Sequence, residues 1–274
     1  MKYIKPYKIF ESASPNFPTT RDEVIEVCEK YEIYNYIIND DLSINVEGDV
    51  DLNIDIDEDI GLQNIKLKYL PVVFNYVKGS FYCQDNELIS LEGSPRDVGI
   101  FDCSKNKLKT LEGGPVDVRG FFSCDDNNLK TLNGSPSNVS RWFSCSNNNL
   151  KTLEGSPNVV NGEFVCHNNE LESLKGITKN ITDRLYINHN NIKSLDYFPT
   201  TTSIIFTQGN PIDVLISTFI RNDNFNDLLE EFEEFEILRN GVVVYLDRLK
   251  TFIEGFDLKM PSLDRIKQEY KIIE

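Results

Sequence analysis

A repeat of 20–21 residues restricts the possible folds of this chain more than any other feature. Cysteines stand at Cys83, Cys103, Cys124, Cys145 and Cys166. Two residues before them are Phe81, Phe101, Phe122, Phe143 and Phe164. Three residues after them are Asn86, Asn106, Asn127, Asn148 and Asn169. Leucines follow at two further positions, from Leu88 and Leu91 to Leu171 and Leu174, and a glycine follows the second, from Gly93 to Gly176. Pro95, Pro115, Pro136 and Pro157 come next, and Val98, Val118, Val139, Val160 and Ile181 close the unit. Later copies replace the cysteine: Leu185, Ile187, Asn190, Ile192 and Leu195, then Ile205, Thr207, Asn210, Ile212 and Leu215. Upstream, Ile60, Leu62, Leu67 and Leu70 fit a degenerate first copy, with Ile65 where Asn would stand. A fixed period over many positions marks stacked units that share one core. The array is expected over 59–215.

Each column has a physical reason. Alternating Phe and Cys is the period-2 signature of a strand with one buried face. An asparagine amide donates and accepts, so it can pair with backbone of adjacent turns and form a ladder: Asn86, Asn106, Asn127, Asn148, Asn169, Asn190 and Asn210. Glycine permits positive φ and proline fixes an extended φ without an amide, so together they shape the return path. Twenty-one residues leave little room for a helix, so loops or polyproline-like segments are expected on the convex back.

The unit F-x-C-x-x-N-x-L-x-x-L-x-G-x-P-x-x-V resembles the leucine-rich repeat, and its length and Pro-containing back resemble the short bacterial class. The resemblance implies a parallel β-solenoid with one short strand per rung. A solenoid exposes apolar ends unless they are covered. Residues 1–58 suit an N-terminal α/β cap. Thr20-Arg21-Asp22-Glu23 is a capping-box pattern opening a helix through about Tyr31. Tyr34–Ile38, Leu42–Val46 and Val50–Ile56 then read as a β-meander. Residues 216–274 suit a mostly helical C-terminal cap. Helices are expected at Ile212–Ile220, Phe225–Glu234, Asp247–Glu254 and Leu263–Tyr270, with a hairpin in Ile237–Tyr245 around Asn240-Gly241. The start KYIKPYKIFES, the GDVDLN strand, the repeats and the ending GVVVYLDRLKTFIEGF together resemble leucine-rich repeat proteins of large tailed bacteriophages. That resemblance implies no activity transferable to particular residues.

Several chemistries find no support. The five repeat cysteines are inward and lack C-x-x-C spacing, so they read as reduced structural thiols rather than ligands or disulfides. Exchange of Cys for Ile187 and Thr207 in later copies fits this. The acidic run Asp49, Asp51, Asn53, Asp55, Asp57 fails the EF-hand pattern in either register, so it reads as an exposed strand face. His167 and His189 follow neighbouring strands, with no nucleophile placed beside them by a known motif. No phosphate-binding glycine motif occurs. We therefore expect no enzyme, no cofactor and no metal. Acidic residues outnumber basic ones 44 to 28, a net charge of −16, which argues against nucleic acid and anionic membrane as partners. Without a signal peptide or an apolar span, a cytoplasmic place (the host's, for a phage-encoded chain) or a virion-associated one is expected.

What remains is the outward, concave face of the strands. Its candidate binding residues are Tyr82, Gln84, Asp102, Phe121, Asp125, Trp142, His167, Arg184, Tyr186 and Phe206. Large aromatics on a rigid sheet have the character of interface hot spots. The first expectation is a non-catalytic scaffold, monomeric or part of an assembly, binding a protein through this face. Alternatives are a virion-associated structural or assembly protein, and an acidic inhibitor mimicking nucleic acid.

Overall fold

The computed structural model describes residues 15–53, 66–199, 204–217, 220 and 224–274. The chain folds as a parallel-strand β-solenoid of about 6 turns with few helices. Helix α1 (Arg21–Lys30) opens the described part. Thr20 Oγ1 accepts from Glu23 N while Glu23 reaches back to Thr20 N, a complete capping box. Strands β1 (Tyr36–Ile38) and β2 (Ile44–Val46) follow as an antiparallel hairpin. The Arg21 guanidinium donates to Ile38 O, so α1 lies against the outer edge of β1.

The expected meander stops at this hairpin. Strand β3 (Val50–Asp51) does not turn back on β2. Both β2 and β3 run parallel to the long strand β4 (Phe74–Tyr82), β2 against its first half and β3 against its second. Val50 pairs with Phe81, which puts Val50 and Leu52 in the Phe and Cys columns. Strand β3, within the segment read as the N-terminal cap, thus joins the parallel stack of the array. Ile60, Leu62 and Ile65, assigned to the degenerate first copy from spacing, lie outside the described residues, as do the KYIKPYKIFES start and the Ile54–Ile56 end of the third expected strand. Leu67 does take its place, since its N–H donates to Asn86 Oδ1 and its carbonyl accepts from Glu87 N.

From β5 (Asp97–Asp102) onward each turn is built alike. The main strands β7 (Phe122–Ser123), β9 (Phe143–Ser144), β11 (Phe164–Val165), β12 (Arg184–Tyr186) and β13 (Ile204–Phe206) stack in parallel and in register. One strand per turn was expected, but several turns carry two. Strands β6 (Asp117–Val118), β8 (Asn138–Val139) and β10 (Val159–Val160) form a second parallel stack on the return path, which Val160 extends by a bridge to Ile181. The valine column is buried, so it brings successive backbones close enough to pair. At the corner between the two stacks, a Cβ on Gly99 would meet Gly79 O at 2.5 Å, and one on Gly120 would meet Gly99 O at 2.7 Å. Glycine there permits the close approach of consecutive turns.

The core is a set of straight columns. Phe81, Phe101, Phe122 and Phe143 stack nearly parallel at 5.3, 5.6 and 5.4 Å, and Phe164 continues the column tilted by 36° at 5.2 Å. The repeat cysteines are free and buried, and burial pushes the thiols of Cys83, Cys103, Cys124, Cys145 and Cys166 well above the usual range. Cys103 and Cys124 donate to Ser123 O and Ser144 O at 3.3 Å. The asparagine column ties turn to turn. Asn127 Nδ2 donates to Cys103 O of the preceding turn and to Cys124 O and Asp125 O of its own, while its Oδ1 accepts from Leu108 N at 3.0 Å. Asn106, Asn148, Asn169, Asn190 and Asn210 repeat the inter-turn pair. Asn86 accepts from Leu67 N, bonds Cys83 O and Gln84 O of its own turn, and reaches the β3 turn through the Asn53 side chain at 3.5 Å in place of a backbone carbonyl.

After Asn210 the chain enters α2 (Asp213–Ile216) and α3 (Phe225–Glu234). The hairpin β14 (Leu238–Arg239) and β15 (Val243–Tyr245) turns through Asn240 and Gly241, both at positive φ. Helices α4 (Leu246–Gly255) and α5 (Leu263–Glu269) lead to β16 (Lys271–Ile273), parallel to β15 and not foreseen from the sequence. Tyr270 Oη donates to Lys193 O, fastening this segment to the sixth repeat copy.

Candidate partner-binding face

Residues that alternate with the buried Phe and Cys columns stand on the outer side of the main strands in three rows. The row just before the cysteine column runs Tyr82, Asp102, Ser123, Ser144, Val165, Tyr186, Phe206. The row just after it runs Gln84, Ser104, Asp125, Ser146, His167, Asn188, Gln208. A third row, three residues before the column, holds Ile100, Phe121, Trp142, Glu163, Arg184 and Ile204. All ten residues singled out from the sequence stand in these rows, and all are partly or fully exposed.

In-register pairing makes like neighbours stack. Phe121 and Trp142 lie face to face at 4.2 Å and 5°. Tyr186 and Phe206 do the same at 4.5 Å and 3°. Arg184 Nη1 bonds Glu163 Oε1 at 3.3 Å. Gln84 Oε1 is buried without a hydrogen-bond partner among the described residues.

The middle of the face is polar and partly closed. Ser123, Ser144 and Ser146 point outward yet are only 5%, 4% and 1% exposed. Asp125 Oδ1 accepts from Ser144 Oγ and from Ser146 N, both at 2.6 Å. Burial raises the Asp125 pKa, against the pull of these two bonds and of His167. Sequence alternation places the serines outward but carries no sign of their cover.

The histidines do not form a pair. His167 is in the outer row, whereas His189 takes the following turn position at positive φ, beside Gly209. Their backbone partners differ accordingly: His167 O accepts from Asn147 N, and His189 N donates to Gln208 O. Ser144 donates its hydroxyl directly to the Asp125 carboxylate, and no hydrogen bond joins His167 to either serine. Among the described residues no group of three or more His, Cys, Asp or Glu is arranged to hold a metal. Asp49, from the acidic run, accepts from Ser80 N at 2.6 Å.

A cavity of about 640 Å³, not foreseen from the sequence, opens between Ser194–Asp196 and the C-terminal segment. Its arginines are already engaged: Arg248 with Glu236 at 2.7 Å and over the Tyr245 ring, Arg239 with Tyr245 Oη. Burial together with Asp196 and Glu230 raises the Glu233 pKa on its wall.

Comparison with protein-family models gave no match, and comparison with curated protein sequences gave none either. The class is therefore defined by the fold alone, a parallel β-solenoid. Among the described residues no helix is long and apolar enough to cross a membrane.

Proposed function

We propose that this chain is a leucine-rich-repeat solenoid of the kind encoded by large tailed bacteriophages, and that it binds a protein partner, without catalysis, through the concave outer face of its strands. The observation that carries this reading is the pair of parallel aromatic stacks, Phe121–Trp142 and Tyr186–Phe206, held on in-register strands. Rigid aromatics lose little conformational entropy on contact, which is what interface anchors require.

The acidic-mimic alternative is less well supported. Acidic and basic residues are equal in number between 66 and 199, fifteen of each, so the negative excess belongs to the flanking sequence. The test is affinity capture from lysate of the cells that express the gene. Wild type and Val116→Ala, a change at an exposed residue off this face, are expected to retain the same partner. Phe121→Ala with Trp142→Ala is expected to lose it. Full retention by the double variant rejects the reading.

A further inference from the structure

We propose that the centre of this face receives one cationic side chain of the partner, arginine or lysine, through Asp125. The inference rests on the reading that the face binds protein, and adds the chemistry of the contact.

Outward rows two positions apart are separated by ~7 Å along a strand, so the Phe121–Trp142 row and the Asp125 row lie about 13 Å apart. Between them the floor is made of Ser123 and Ser144, the smallest outward side chains of their row. This strip, called the trough below, has the aromatic pair on one side, the carboxylate on the other, and closely covered serines between them. Asp125 is fixed there, because Ser144 Oγ and Ser146 N both bond its Oδ1. Its Oδ2 takes no hydrogen bond from any described residue. A half-buried carboxylate with one oxygen committed and one free is pre-organised for a donor.

Charge selects the donor. Glu163 is paired with Arg184, whereas among the described residues Asp102 and Asp125 stand in no ion pair, His167 acting on Asp125 only from beyond salt-bridge distance. The upward pull of burial on the Asp125 carboxyl has the same origin, lost hydration that a cation would offset. An acidic side chain entering the trough would meet Asp125 and Asp102 with like charge. An apolar one would strip water from the carboxylate and return nothing. Arginine or lysine would place its head on Oδ2 and lay its aliphatic stem across the covered serines toward the exposed parts of the rings.

Trp142 is the only tryptophan, so its emission reports on the trough. The test titrates the full chain, at physiological salt and neutral pH, with capped Gly-Arg-Gly, its citrulline isostere and capped Gly-Glu-Gly. The arginine peptide is expected to change Trp142 emission saturably. The citrulline peptide is expected to bind about tenfold more weakly or worse. Asp125→Asn, which keeps an acceptor for Ser144 and Ser146, should weaken the arginine peptide by a similar factor while its circular dichroism and melting midpoint stay at least at wild-type values. Equal binding of arginine and citrulline peptides, better binding of the glutamate peptide, undiminished binding by Asp125→Asn, or no saturable change with any peptide would each overturn the proposal. The partner capture separates the two readings. If Phe121→Ala with Trp142→Ala loses the partner but Asp125→Asn holds it with wild-type affinity, only the cation contact fails. If both retain it, the face itself is excluded.

Discussion

The asparagine column shows most sharply how one side chain can serve a whole fold. Asn127 leaves the strand where three carbonyls converge, and its amide satisfies them while accepting the leucine N–H of the turn before, an arrangement shared by Asn106, Asn148, Asn169 and Asn190. Asn127→Ala leaves these buried groups unpaired and should lower stability by about 3 kcal/mol, read as a fall in denaturant midpoint at constant slope. Asn127→Asp should be worse than Ala, because it turns a carboxylate oxygen onto carbonyls; equal or smaller loss would contradict the ladder. The cysteines behave as small apolar residues. Burial holds the repeat thiols in their neutral form and pushes Cys28 up to about 11. A thiol reagent at mildly alkaline pH should therefore label the folded chain only as fast as it opens. Asp125 supplies a pH test with a definite sign. Its folded pKa is raised, so the stability linked to its proton is complete below the unfolded value near ~4 and is lost as pH rises through the higher folded value. Asp125→Asn should gain in melting midpoint relative to wild type on going from acid to neutral pH, and a flat difference would show that burial does not govern this group.

At the scale of elements, columns were legible in the sequence because each column is one environment repeated. The helix α1 boundary was legible for a local reason, Thr20 and Glu23 completing each other's hydrogen bonds. The return-path strands were not, since a two-residue strand such as Asp117–Val118 is too short to alternate and Pro115 just before it reads as a turn. The place of strand Val50–Asp51 in the parallel stack was not legible, because it stands farther from Leu67 than the repeat period allows. Strand β16 was missed because Lys271–Ile273 pairs with residues far upstream and carries no turn signal. The corner glycines give a paired prediction. Gly99→Ala drives a Cβ onto Gly79 O and should cost about 2 kcal/mol. Gly255→Ala, with nothing within 4 Å, should be neutral or raise stability by up to ~1 kcal/mol through helix propensity. Thermal or denaturant melts of both variants check this.

For the molecule as a whole, stacking turns one sequence rule into three outward rows. Which residues point out was legible, because alternation fixes it. Which outward residues are covered was not: Ser146 is buried, and Asp125 is anchored by the next turn rather than its own. The most direct test of the account is hydrogen exchange of the chain alone and with its captured partner. Proposed binding through the outer face predicts added protection centred on 100–104, 121–125, 142–146 and 163–167, with 116–119 and 137–140 unchanged. Protection confined to those return-path segments or to the chain's ends, with the main strands unaffected, would contradict it.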